Sequence, residues 1–148
     1  MKDKTFLNSI KMKDNDLVIS KQDKPVNLEG KTILVVDDID INIELIKEIL
    51  DGTNINILEA HNGQQAINSC LLDQNINIVL MDIQMPIMNG YEAMRQIKKL
   101  RPELPVIAQT AYAFAEDISK CMAAGFNDYI AKPFDQNKLI EILLKNFN

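Results

Sequence analysis

The sequence predicts a parallel α/β sheet, doubly wound, with five strands and five helices. Two observations predict it. Short apolar runs rich in β-branched residues alternate with longer amphipathic runs from Lys31 onward. Such alternation gives crossover units and a parallel sheet covered on both faces. The apolar runs also end in chemically active residues, and sheets of this class gather function at the carboxyl ends of their strands.

The strand-like runs are Thr32–Val36, Asn56–Ala60, Ile76–Met81, Pro105–Gln109 and Asp128–Ala131. Each is short, apolar and bounded by turn residues. Between them lie helix-like runs over residues 42–51, 63–74, 90–100, 114–124 and 135–147. Their apolar residues recur at i, i+3 and i+4. On the first helix the expected buried face is Asn42, Leu45, Ile46 and Ile49. The second carries Ala66, Ile67, Cys70 and Leu71. The third carries Met94, Ile97 and Leu100. The fourth carries Ile118 and Met122, with Gly125 as its stop. The fifth carries Leu139, Ile142 and Leu143. Residues 1–30 are polar and show no sustained period, so they read as a linker ahead of a domain spanning 31–148.

Composition narrows the function. The chain has 148 residues, 47% hydrophobic and 25% charged, with a net charge of −5. That suits one globular domain with a proper core. No basic run argues for a nucleic-acid partner. Lys98, Lys99 and Arg101 read as cations at the negative end of a helix dipole. No segment is long and apolar enough to span a bilayer, and Met1–Asn15 is too polar for a signal peptide. Cys70 and Cys121 lie far apart in apolar helical contexts, as buried free thiols of a cytoplasmic protein would. Met81, Met85 and Met88 read as core filling. His61, the single histidine, reads as a solvated loop residue.

The strand ends carry the chemistry. "KTILVVDDID" places Asp37 and Asp38 directly after the first strand, with Asp40 close behind. Two like charges at about 4 Å repel by ~4 kcal/mol at an effective dielectric near 20. A cation would hold them together. Asp82 ends the third strand, Thr110 the fourth and Lys132 the fifth. Three carboxylates make a hard oxygen site suited to Mg²⁺. Such an ion attracts phosphoryl oxygens, Lys132 adds a second positive charge, and Thr110 can donate a hydrogen bond. A carboxylate beside a metal can be a nucleophile and form an aspartyl-phosphate. Phosphoryl transfer asks mainly for positioning and neutralised charge.

These residues resemble the receiver domain of two-component response regulators. The segments "ILVVDD", "IVLMDIQMPIMNGYEA", "PVIAQTAYA" and "DYIAKPF" carry the likeness across 31–148. The segments "DDIDIN" and "QTAYAFAEDISKCMAAGFNDYIAKP" are most similar to receivers of hybrid sensor histidine kinases. This family is a standard example of the flavodoxin-like strand order 2-1-3-4-5, so that order comes with the resemblance, not the periodicity. The resemblance implies that Asp82 is the phosphoacceptor. It implies Mg²⁺ on Asp38, Asp82 and the main-chain carbonyl of Gln84, with Asp37 acting largely through metal-bound water. Thr110 and Tyr129 would form the switch. Lys132 would pair with the phosphoryl group, its bond to Pro133 being cis. The donor would be a histidine kinase or a histidine phosphotransfer protein.

The chain has neither a kinase phosphoacceptor helix nor a glycine-rich ATP loop. It is therefore expected to receive phosphoryl groups without being a turnover enzyme. No helix-turn-helix output follows, which reads against DNA binding. Tyr112, two residues past Thr110, would hinder hydrolytic water. Ile39, Ile41 and Ile43, the last taken to lie on the solvent flank of its helix, form the expected docking surface for the donor. A rival reading takes Asp38-x-Asp40 as the nucleophile and acid of a phosphatase similar to the haloacid dehalogenases. It lacks a later acidic pair after Lys132. A flavin or nucleotide carrier would want a glycine- or hydroxyl-rich phosphate loop where two aspartates stand.

Overall fold

The computed structural model describes residues 26–111 and 114–147. Strands β1 (Thr32–Val36), β2 (Asn56–Ala60), β3 (Ile78–Asp82), β4 (Val106–Thr110) and β5 (Asp128–Ala131) alternate with helices. The helices are α1 (Asp40–Ile49), α2 (Gly63–Leu72), α3 (Gly90–Leu100), α4 (Ala115–Ala124) and α5 (Gln136–Asn146). All neighbouring strands are parallel. The order is β2-β1-β3-β4-β5. Among the described residues, no helix is long and apolar enough to cross a membrane.

Alternation along each strand builds two cores. Leu34, Val36, Val79, Met81, Val106 and Ala108 face one way, against Ala66, Cys70, Met94 and Ile97. Ile33, Val35, Ile78, Leu80 and Ile107 face the other, against Ile43, Ile46, Leu139 and Leu143. Helices α1 and α5 therefore cover one face; α2 and α3 cover the other. The chain leaves β1 toward β2 and then returns past β1 to β3. The connections after β1 and β3 diverge, and a crevice opens between them.

The structure moves several expected boundaries and faces. β3 and β4 each end one residue later than expected, on Asp82 and Thr110. β4 starts after Pro105, which has no N–H for the ladder and offers only its carbonyl, to Val79 N at 3.0 Å. Val26 and Leu28, read as linker, pack on the core; Leu28 is buried and its N–H donates to Thr53 O. On α1, Ile43 and Ile46 are buried, as is Leu50 just past its end, while Leu45 is 55% exposed. Ile43 is 1% exposed, so its place on the solvent flank is corrected. Ile41, Ile43, Leu45, Ile46 and Ile49 spread over an arc of roughly 200° opposite the charged side, so a 100° period fits two faces sharing Ile46. The sheet selects the face holding Ile43. On α4 the buried residue is Cys121; Met122 is exposed. Leu71 and Leu100 are likewise exposed.

Arg101 is also corrected. It is not a solvated cation at a helix end. It is buried, donating from Nη1 to Asp73 O at 3.2 Å and from Nη2 to Gln74 O at 3.3 Å and Ile76 O at 2.9 Å.

Candidate functional site

Strand register assembles the site. Val36 pairs with Met81, so the next residues, Asp37 and Asp82, leave the sheet side by side. Asp82 pairs with Gln109, which puts Thr110 one step beyond. Thr110 pairs with Ala131, and Lys132 follows, its N–H donating to Thr110 O at 2.8 Å. Four strand ends thus deliver their side chains to one rim.

Asp37, Asp38 and Asp82 each place one carboxylate oxygen within 4.8 Å of the others. Asp37 is fully buried, Asp82 is buried and Asp38 is exposed. Asp37 Oδ1 accepts from Ile39 N at 3.0 Å and from Asn42 Nδ2 at 3.3 Å. Its Oδ2 is buried with no hydrogen bond, and faces Lys132 Nζ at 3.6 Å. Gln84 N donates to Asp82 Oδ1 at 3.0 Å. Burial raises the Asp82 carboxyl above the usual carboxylate range. The neighbouring Asp37 and Asp38 push the same way, against the Gln84 N–H and Lys132. Three carboxylates against one ammonium, with a buried acceptor lone pair unmet, match a hard cation with oxygen ligands.

Local structure holds these groups. Asn89 caps α3 by accepting from Glu92 N at 3.1 Å. Gly90 presses the helix start against the end of β3: a Cβ there would lie 2.6 Å from both Asp82 O and Ile83 Cα. Only glycine allows that approach. The Lys132–Pro133 bond is cis. Thr110 is buried and Tyr129 half-buried against the α2/α3 core. Ile39 is 50% and Ile41 72% exposed at the start of α1, whereas Ile43 points into the core. Tyr112 lies outside the described residues. His61 is partly exposed, as expected, though its Nδ1 lies 3.1 Å from Asp40 Oδ1.

Asn42 is the residue that sequence reasoning missed in this role. Its helical spacing puts it on a packing face, yet its Nδ2 donates to Asp37 Oδ1 at 3.3 Å. Its spacing of five from Asp37 is no recognisable motif, and only the path of the turn into α1 brings the two together.

The fold and rim define a phosphoacceptor-type α/β domain, and comparison with known proteins names the family. The model of the response regulator receiver domain matches residues 33–144. The chain belongs to that family. It is 36% identical over 126 residues to the signal transduction histidine-protein kinase BarA of Escherichia coli K12, covering 82% of this chain and 14% of BarA. It is 37% identical over 102 residues to a cyclic di-GMP phosphodiesterase of Thermotoga maritima, covering 69% of this chain and 27% of that protein. The chain thus spans a small part of these relatives. Among solved structures, it superposes on the receiver domain of sensor histidine kinase PA1611 from Pseudomonas aeruginosa PAO1. The TM-score is 0.72 at 34% identity, covering 79% of this chain and 97% of that one. That structure has a magnesium ion coordinated in its active-site cleft. The family match gives the phosphatase reading centred on Asp38 no support.

Proposed function

We propose that this receiver domain accepts a phosphoryl group on Asp82 from a phosphohistidine donor, with Mg²⁺ held by Asp37, Asp38, Asp82 and the Gln84 carbonyl. The observation that carries the reading is the closeness of three carboxylate oxygens, all within 4.8 Å, beside a buried Asp37 oxygen with no hydrogen bond. When bound, the ion would neutralise the carboxylates and draw in phosphoryl oxygens.

Asp82 supplies the attacking oxygen. A bond forms from that oxygen to phosphorus, and the phosphorus–nitrogen bond of the donor breaks, leaving its electron pair on the imidazole. The Gln84 N–H holds the attacking carboxylate in place. Lys132, 3.6 Å from Asp37 Oδ2, is near enough to turn toward the incoming charge. Thr110 would donate to the phosphoryl group and Tyr129 would follow it, forming the switch. Asn42 and the Ile39 N–H fix the other oxygen of Asp37.

The donor is a histidine kinase or a histidine phosphotransfer protein. Its docking surface includes Ile39 and Ile41, both exposed beside the acidic rim, and not Ile43. The unit spans 31–148 with 1–30 as a linker whose last residues pack on it. The reading implies a cytoplasmic setting and no turnover of a separate substrate.

The test is direct. The protein is incubated with Mg²⁺ and acetyl phosphate, the acyl phosphate is reduced with borohydride, and the product is mapped by mass spectrometry. Label on Asp82 supports the assignment; label on Asp38 rejects it. Ile41→Asp should slow transfer from a phosphohistidine protein and leave acetyl phosphate labelling intact. Equal rates with the protein donor would move the docking surface elsewhere.

A further inference from the structure

The loop from β3 to α3 is tied down close to Asp82 at both ends. Gln84 N donates to Asp82 Oδ1 at 3.0 Å, and Gly90 N donates to Ile83 O at 3.2 Å. Between those ties the chain turns once more. Met88 N donates to Pro86 O at 2.8 Å across Ile87, whose φ is +69°. A three-residue turn with its central residue at positive φ is a rare and strained form. Glycine takes positive φ at no steric cost and asparagine tolerates it; a β-branched residue there is an outlier.

The core does not offset that strain. Ile87 is 106% exposed, so it gains nothing from burial. Its neighbour Met88 does the packing: a Cβ on Gly63 would lie 2.8 Å from Met88 Sδ. Ile87 borders a hollow of about 290 Å³ that Asn62, Gly63, Gln64 and Met88 also line. Stability alone favours glycine or asparagine at this position, and strain that the fold does not need points to function.

The structure assigns Ile87 as a contact residue for the phosphohistidine donor, a protein surface with apolar side chains beside its phosphohistidine. The inference rests on the reading of Asp82 as phosphoacceptor. Two observations name this occupant. In transfer, one phosphorus passes from a donor nitrogen to an Asp82 oxygen, so the donor must close over the rim. Ile87 stands five residues past Asp82, on a loop tied to that carboxylate, where the closing surface meets it. The rim also carries exposed apolar groups on both sides. Ile39 and Ile41 lead into α1, which packs on one face of the sheet; Ile87 leads into α3, which packs on the other. An apolar side chain of the donor fits the hollow beside Ile87. A side chain already held in a tight turn also loses less freedom when it is covered.

Phosphoramidate and the phosphohistidine form of Escherichia coli BarA test the assignment. Both carry a phosphorus–nitrogen bond, and only the second brings a protein surface. Labelling of Asp82 by each is followed in the full chain and in its Ile87→Asn and Ile87→Val variants. Ile87→Asn should lower the ratio of BarA to phosphoramidate kcat/KM at least about fivefold, through KM, as loss of one apolar interface anchor implies. The same substitution should raise Tm by about 3 °C, because asparagine tolerates the turn. Ile87→Val keeps the branched apolar group and should keep the native ratio. An unchanged ratio in Ile87→Asn overturns the assignment. A fall in its Tm does too, since Ile87 would then serve the fold. So does a native chain that phosphoramidate labels and BarA does not. Phosphoramidate label away from Asp82 is a separate failure: it overturns the phosphoacceptor reading, and the inference with it.

Discussion

At the amino-terminal rim of the sheet, a buried Arg101 donates to three main-chain carbonyls. At the carboxyl-terminal rim, a fully buried Asp37 keeps one oxygen with no hydrogen bond. The two rims belong to the same strands and sit on the same cores. At the first, polar groups close on one another: Thr32 N donates to Asn77 Oδ1 at 2.7 Å, and Val106 N to Asn127 Oδ1 at 2.9 Å. At the second, carboxylates crowd together and Asp82 is raised by burial. At the first rim Arg101 Nε also has no hydrogen bond, but it faces Glu103 Oε2 at 3.6 Å, and the rim's three carbonyl contacts contribute to stability. The second rim, crowded with like charge, sacrifices stability to hold that charge in readiness for an ion and a phosphoryl group.

The sharpest way to break this comparison is to remove charge from the second rim. Asp82→Asn should abolish acyl phosphate labelling. It should also raise Tm in the absence of Mg²⁺, because burial disfavours the charged carboxylate it replaces. A fall in Tm, measured by calorimetry, would mean that this rim also stabilises the fold.

The opposite outcome is expected at the first rim. Arg101→Met strands three carbonyls and should cost about 3 kcal/mol, read as a lower urea midpoint, given ~1–3 kcal/mol per unsatisfied buried group. Labelling of Asp82 in the folded protein should be unchanged.

Cys70 lies near the first rim, and burial pushes its thiol up to about 11, with Arg101 opposing. Alkylation requires the thiolate, so at pH 8 native Cys70 should react about 100-fold more slowly than in the unfolded chain. Peptide mapping separates it from Cys121. Fast native labelling would show that this side of the core opens.

The smallest effect concerns Mg²⁺ itself. At ten times its dissociation constant it should add about 1.4 kcal/mol to stability by mass action. Asp37→Asn should lose most of that gain while keeping the fold.

Sequence alone gave the alternation of elements, and with it the parallel sheet, because strand and helix periods are local and the turns between them are marked. It also gave the acidic pair, Asp82, Thr110 and Lys132, because each follows directly from where an apolar strand stops. It misjudged α1, whose apolar residues cover a broad arc; the period allowed two buried faces, and only contact with the sheet chose the one holding Ile43. It misread Arg101, since a cation at a helix end looks the same whether it meets water or a neighbouring loop's carbonyls. Asn42 against Asp37, and Ile87 held at positive φ, depend on the path the folded chain takes between elements. Local pattern cannot encode them; strand register and helix packing decided them.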